Sequence, residues 1–420
     1  MQLKTASILT TSIALLYIIV NLFTEKEQFK ASIHLAIWMQ SHSSSILDFF
    51  MAFCSFLGYP FLVIVLAIYT FVEPNKFLAY KITFFCVSSG FLNGVLKLLY
   101  ASPRPWYADE KVLVMECLET DFGRPSGHSM FSIYVGIMFY RSYIYKSEEE
   151  LLPEVDAEAF TLTPRTSNKD IFGASDNKKR FIFILYVIAV ILVGASRVYR
   201  GAHSFDQVLL GWSYGILCFH LTVYYLEKPV EKLFSSYYDN WDTNFKRHLL
   251  ILLLTFFVCL LLPIGIFVMK DGSLDLQPWA ELIKSKCGVS DKNQMLVAYS
   301  LYSTAFGALS FGILFGILFG TRNVLSRRSV ESYSCKKIGI KIMIAFFIVG
   351  LFGLAGYMIP VADNPYVIYM LKGSLLLFVV GFFMLAVLPR IYQRFQLEME
   401  ELEIGSARTN IEQNESELAI

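Results

Sequence analysis

The stretch KKRFIFILYVIAVILVGASRVYRGAHSFDQVLLGWSYGILCFHLTVYYL, residues 178–226, decides how the rest of the chain is read. It holds two apolar runs, 180–199 and 206–226. Each is close to the roughly 20 residues a helix needs to cross a bilayer core. The cationic group Lys178-Lys179-Arg180 opens the first run. Near the junction of the two runs stand Arg197, Arg200, His203 and Asp206. Ionisable groups at membrane depth are costly and are kept for function. This segment therefore reads as two membrane helices with a charged site at one end.

The same pattern extends in both directions. The chain has 420 residues, 55% hydrophobic and 17% charged, with 37 Phe and 24 Tyr. Its mean hydropathy is +0.52. A soluble domain carries about 25% charged residues, so the deficit points to a membrane protein. Further apolar runs at 6–22, 59–73, 80–99, 127–143, 248–269, 296–320, 338–360 and 366–389 bring the expected spans to ten. Ile46–Leu57 reads as an amphipathic helix lying at the interface. The first run ends in Asn21-Leu22-Phe23-Thr24-Glu25 without a small-x-small cleavage pattern, so it reads as an uncleaved anchor. The expected fold is an all-α polytopic membrane helical bundle. The net charge of +1 makes no electrostatic case for nucleic acid. No cysteine and histidine spacing of the zinc type occurs.

Basic residues in short loops orient the spans. Lys76, Lys178-Lys179-Arg180, Lys228, Lys232, Lys246, Arg247, Arg322, Arg327, Arg328, Lys336, Lys337, Arg390 and Arg394 fall on one side. That side is expected to be cytoplasmic and to hold both termini. Cys117 and Cys287 then share the lumenal or extracellular side, where an oxidising medium permits a bridge. Two separate thiols are the simpler expectation.

Three strings converge on that same side. They are Lys97-Leu98-Leu99-Tyr100-Ala101-Ser102-Pro103-Arg104-Pro105, Pro125-Ser126-Gly127-His128 and Ser196-Arg197-Val198-Tyr199-Arg200-Gly201-Ala202-His203. Each lies at an end of an apolar run. Phosphate-ester hydrolysis needs the anion held, a nucleophile aligned and a proton delivered to the leaving oxygen. Positioning and electrostatics supply most of the catalysis. Lys97, Arg104 and Arg197 offer three positive charges, and arginine suits bidentate contact with phosphate oxygens. Ser126 and Gly127 begin an apolar helix, whose first amides favour anions. Two imidazoles suit a two-step route, one attacking phosphorus and the other moving protons. His34 and His220, inside helices, read as packing residues.

These strings resemble the signature of the type 2 phosphatidic acid phosphatase superfamily, which also holds glucose-6-phosphatase and the vanadium haloperoxidases. Its pattern runs K-x6-R-P, P-S-G-H and S-R-x5-H-x3-D. The first two elements match fully and the third matches through His203. The resemblance covers about residues 45–225. It implies a six-helix core, a metal-free phosphatase without cofactor, phosphate binding by Lys97, Arg104, Ser126, Gly127 and Arg197, His128 as general acid and His203 as nucleophile. The family's final acid falls on Gln207, with Asp206 one residue early. That acid orients the nucleophilic ring. Gln207 could do so through its amide oxygen, and Asp206 only if the helix began differently.

The expected organisation is an anchor helix and lumenal interfacial segment over 1–44 and a phosphatase core over 45–226 containing a polar cytoplasmic loop at 144–179. About four further membrane helices over 227–392 and a polar tail over 393–420 follow. Gly312, Gly316 and Gly320 form a small-residue face suited to internal packing, or to a homodimer. The expected partners are the membrane and a phosphorylated lipid such as phosphatidic acid, lysophosphatidic acid or sphingosine 1-phosphate. A sugar phosphate, a polyprenyl diphosphate, or a silent lipid-binding or lipid-moving relative are the alternatives. Tyr100, Trp106 and Tyr107 read as interfacial aromatics lining the entrance, which favours lipid. The endoplasmic reticulum and the plasma membrane both fit.

Overall fold

A computed structural model describes residues 2–73, 76–115, 117, 120–143, 176–239, 241–271, 274–288, 296, 300–319, 335–358 and 364–395. Most of the loop expected at 144–179, Gly320 and nearly all of the polar tail lie outside these residues. The helices are α1 Gln2–Ser41, α2 Ser45–Leu57, α3 Tyr59–Val72, α4 Lys76–Tyr100, α5 Pro105–Ala108, α6 Gly127–Tyr143, α7 Asp176–Tyr199 and α8 Phe205–Leu221. They continue as α9 Glu227–Asp239, α10 Trp241–Asp271, α11 Gln277–Cys287, α12 Phe306–Phe319 and α13 Cys335–Met358. The last is a composite of α14 Pro365–Ile368, α15 Leu376–Phe382 and α16 Leu388–Arg394, joined by π-helical turns. No strand occurs among the described residues.

Nine described segments are long and apolar enough to cross a membrane. The fold is thus a polytopic helical bundle. The tenth expected span is the 17-residue α6. At about 1.5 Å per residue it falls a little short of a bilayer core. Helices α2 and α3 together make one membrane-length segment, Ser45–Thr70.

Helix α1 runs well beyond the expected 6–22 span. No glycine or proline occurs before Gly58, so nothing in the sequence breaks it early. Its exposed face carries Leu9, Ile13, Leu16, Val20 and Phe23, spaced three or four residues apart. The opposite face buries Ala14, Asn21, Ser32, Ala36 and Gln40. In a bilayer the first stripe meets lipid and the second meets protein.

By backbone contacts the chain divides into two units. The first comprises Met1–Val63, Tyr100–Tyr225 and Asp275–Lys292. In it α1 packs on α8 and α7, α6 lies between α7 and α8, and α2 lies along α7. Ala36, Val198 and Val208 form a small core, with Met39 and Trp212 against it. The second unit comprises Ile64–Leu99, Leu226–Leu274 and Asn293–Ile420. Here α12 packs on α15 and α10. Gly312 faces the Phe378 backbone so closely that a Cβ would collide with its carbonyl oxygen. The glycine face of α12 therefore serves packing within the chain. Lys81 pairs with Glu227 at 2.7 Å and Glu231 at 2.5 Å in this unit.

Candidate active site

The first unit carries six of the seven catalytic and phosphate-binding candidates, all but Lys97, on its loops and helix ends. His203 follows α7 in a tight turn, where Ala202 and His203 both donate their amides to the Arg197 carbonyl at 3.1 and 3.2 Å. Gly201 has φ +65°, the left-handed conformation that glycine adopts without penalty. The turn aims the His203 ring inward, where it is 1% exposed.

The partners of that ring fix its proton. Nδ1 lies 2.7 Å from the Gly123 carbonyl oxygen, which only accepts. Nε2 lies 3.0 Å from a terminal nitrogen of Arg104, which only donates. Nδ1 therefore carries hydrogen, and Nε2 presents a lone pair beside a guanidinium. The same Arg104 nitrogen donates to Ala202 O at 3.0 Å. Arg104 Nε donates to Asp121 O at 2.9 Å, and its other terminal nitrogen pairs with the Asp121 carboxylate. Arg104 is thus held on three sides, with 2% of its surface exposed.

Gln207 stands one helical turn past His203. Its Oε1 lies 3.3 Å from His203 Nδ1 and accepts from Ser204 N at 3.3 Å. Its Nε2 donates to Pro103 O at 2.8 Å. It joins the R-P string to the histidine string. Asp206 points elsewhere: Ser32 on α1 donates to its carboxylate at 3.4 Å. One residue of helix turns a side chain by about 100°. The orienting role considered for Asp206 therefore finds no support in the geometry, and Gln207 occupies that place.

Arg197, in the last turn of α7, is buried and donates to Ser55 Oγ on α2 at 2.6 Å. Tyr199 donates to Asp48 one heptad earlier on the same α2 face. Helix α2 therefore turns polar groups to α7 and exposes Phe49, Phe53 and Phe56. The half-buried His128 heads α6, its ring 5.7 Å from that of Tyr59 at the α2–α3 junction. Lys97 is buried in the last turn of α4, within the second unit.

Ser126 departs from expectation. Its amide donates to Gln207 O at 3.0 Å, and its hydroxyl accepts from Ser129 Oγ at 3.0 Å. It caps α6 from within, its hydroxyl also accepting from Ser129 N at 3.4 Å. The aromatics also differ. Trp106 and Tyr107 are buried rather than set around an entrance, because Tyr107 donates to Asp121 O at 3.0 Å and packs on Trp279. Tyr100 shares a 2.8 Å hydroxyl contact with Tyr214 and carries the Arg124 guanidinium over its ring. His220 forms a hydrogen bond with Ser7 at 3.1 Å and its ring lies against Tyr224. Cys117 and Cys287 are joined in a disulfide. Among the described residues no group of three or more His, Cys, Asp or Glu is placed to hold a metal ion.

Asp121, Ser55, Gln40 and Arg124 carry no signal in the motifs. Gln40 donates to Leu113 O and Tyr199 O at 3.1 and 2.9 Å and accepts from Leu113 N at 2.9 Å. Arg124 is fully buried and pairs with Asn21 and Glu25 of α1. A polar residue inside an apolar helix, such as Asn21 or Gln40, was the available hint.

The class defined by fold and site is a polytopic membrane bundle with an imidazole–guanidinium centre. Residues 78–231 match the family model of the PAP2 superfamily. That family generally comprises phosphatases, and the apolar helices among the described residues mark the chain as a multi-pass membrane protein. No curated protein and no solved structure matches it.

Proposed function

We propose that this chain hydrolyses a phosphomonoester of a lipid through a phosphohistidine on His203, on the lumenal or extracellular face and without a metal. The observation that carries the reading is the fixed tautomer of His203. Its Nε2 lone pair points to the place where Arg104 would hold a phosphate. Nε2 attacks phosphorus, and the P–O bond to the leaving alcohol breaks. His128, protonated, gives that oxygen its proton. His128 then takes a proton from water, whose oxygen attacks the phosphohistidine and frees both Nε2 and inorganic phosphate. Arg104, Arg197 and the Gly127 end of α6 balance the equatorial charge.

An amphiphile suits the surroundings of His128. That ring meets the leaving group, and it lies beside Tyr59 between the exposed Phe56 and Phe61. A tail could remain in lipid while its phosphate reaches the arginines. The neutral Gln207 favours slow turnover and leaves a silent lipid-binding relative as the competing reading.

The test is phosphate release by purified protein in detergent with chelator. Lipid monophosphates, a polyprenyl diphosphate and glucose 6-phosphate are compared. Lipid monophosphates are expected to turn over, and His203→Ala to lose at least about a thousandfold. Retained turnover in His203→Ala, or a strict need for magnesium, would refute the proposal.

A further inference from the structure

Lys286 lies on α11, outside the region matched to the family, yet it reaches into the loop that carries the site. Its ammonium donates to three main-chain oxygens: Trp106 O at 2.7 Å, Asp109 O at 2.8 Å and Val112 O at 2.9 Å. An ammonium has three donors and here each meets a carbonyl. Burial lowers its pKa, with Asp109 and Glu110 acting in the opposite direction. The adjacent Cys287 is bonded to Cys117 of the same loop. Helix α11 buries Ala280 and Ile283, and Trp279 packs against Tyr107 and Phe122.

The loop so held runs directly to the reacting groups. Trp106 N donates to Gly201 O at 3.2 Å, in the turn before His203. Tyr107 Oη and Arg104 Nε share the carbonyl of Asp121, whose carboxylate pairs with Arg104. Arg104 in turn faces His203 Nε2. An unbroken chain of bonds therefore links Lys286 to the guanidinium beside the nucleophile.

We infer that Lys286 is a positioning residue of the phosphate site, and that α11 with the Cys117–Cys287 bridge is a strap fixing Arg104 through Trp106, Tyr107 and Asp121. The inference rests on the phosphatase reading above. A loosened loop lets Arg104 shift. Ground-state phosphate binding then weakens more than the chemical step, which His203 and His128 carry. Displacement on an ångström scale is worth tenfold or more in such sites.

The experiment measures KM, kcat and the inhibition constant of inorganic phosphate for wild type, Lys286→Met, Asp121→Asn and the double variant, all in detergent. Lys286→Met is expected to raise KM and the phosphate inhibition constant about tenfold while kcat falls less than about threefold. The double variant is expected to fall short of the product of the single effects, since both act through Arg104. If Lys286→Met does not purify folded, the paired change Cys117→Ser with Cys287→Ser tests the same strap. A severalfold rise in both constants is then expected. Both constants unchanged in an active protein would overturn this inference alone. A wild-type chain silent toward every ester would overturn the phosphatase reading and this inference with it.

Discussion

At the residue scale, the Gln207 amide stands where the motif the chain resembles carries a carboxylate. Its oxygen faces His203 Nδ1 and its nitrogen holds Pro103 O, so one side chain ties two strings together. Gln207→Leu removes these two bonds and the one from the Ser204 amide but leaves Nδ1 on Gly123 O. The expected loss in kcat is about tenfold, the worth of one net hydrogen bond near 1.4 kcal/mol. Asp206→Asn is expected to leave kcat within about twofold, because its carboxylate faces Ser32. Steady-state kinetics of the two variants separate the neighbours. An Asp206→Asn loss larger than that of Gln207→Leu would reverse the assignment. The sequence could place both residues but could not choose between them. The choice turns on where α8 begins, and that is settled by the bond from Gln207 to the Ser204 amide.

At the element scale, α1 is more than an anchor. It supplies Asn21 and Glu25 to Arg124, Ser32 to Asp206 and Gln40 to the 113 and 199 backbones. Arg124 is buried, and removing a partner from a buried charge is expensive. Glu25 is about one-third exposed, so solvent softens the loss. Glu25→Gln is expected to cost roughly 1–2 kcal/mol, read as a lowered thermal midpoint in detergent. In the second unit, Gly312→Leu would force α12 away from Phe378 and cost about 1–3 kcal/mol. The same assay checks it, and an unchanged midpoint would mean the two backbones are not in contact. The hydropathy pattern located these helices well, because burial in lipid is a property of composition. It could not show that α1 stays unbroken to Ser41, since polar residues facing protein read as an interfacial segment until their partners are known. Lys286, Asp121 and Ser55 were invisible for a related reason. Lys286 acts through three bonds to distant main-chain oxygens, and Asp121 and Ser55 through bonds to arginines far along the chain, and these leave no periodicity.

At the scale of the whole molecule, the orientation we propose from the basic loops has both termini on the cytoplasmic side and the His203 turn on the other. A glycosylation sequon inserted after Gly288 is expected to acquire a glycan, whereas a tag after Ile420 should be cleaved by protease added to the cytoplasmic face of sealed vesicles. The reverse pattern would invert the orientation drawn from the charges. The motif strings made a shared site legible, and within the first unit Arg104, His203 and Gln207 are indeed side by side. What topology cannot encode is the tautomer of a ring.

The most direct measurement is therefore chemical. Protein mixed with a ³²P-labelled lipid monophosphate is quenched in alkali, which preserves phosphohistidine, and the labelled peptide is sequenced. Label is expected on His203, absent in His203→Ala and accumulating in His128→Ala incubated with a substrate bearing a good leaving group. Turnover without a phosphoenzyme, or label on any other residue, would contradict the account.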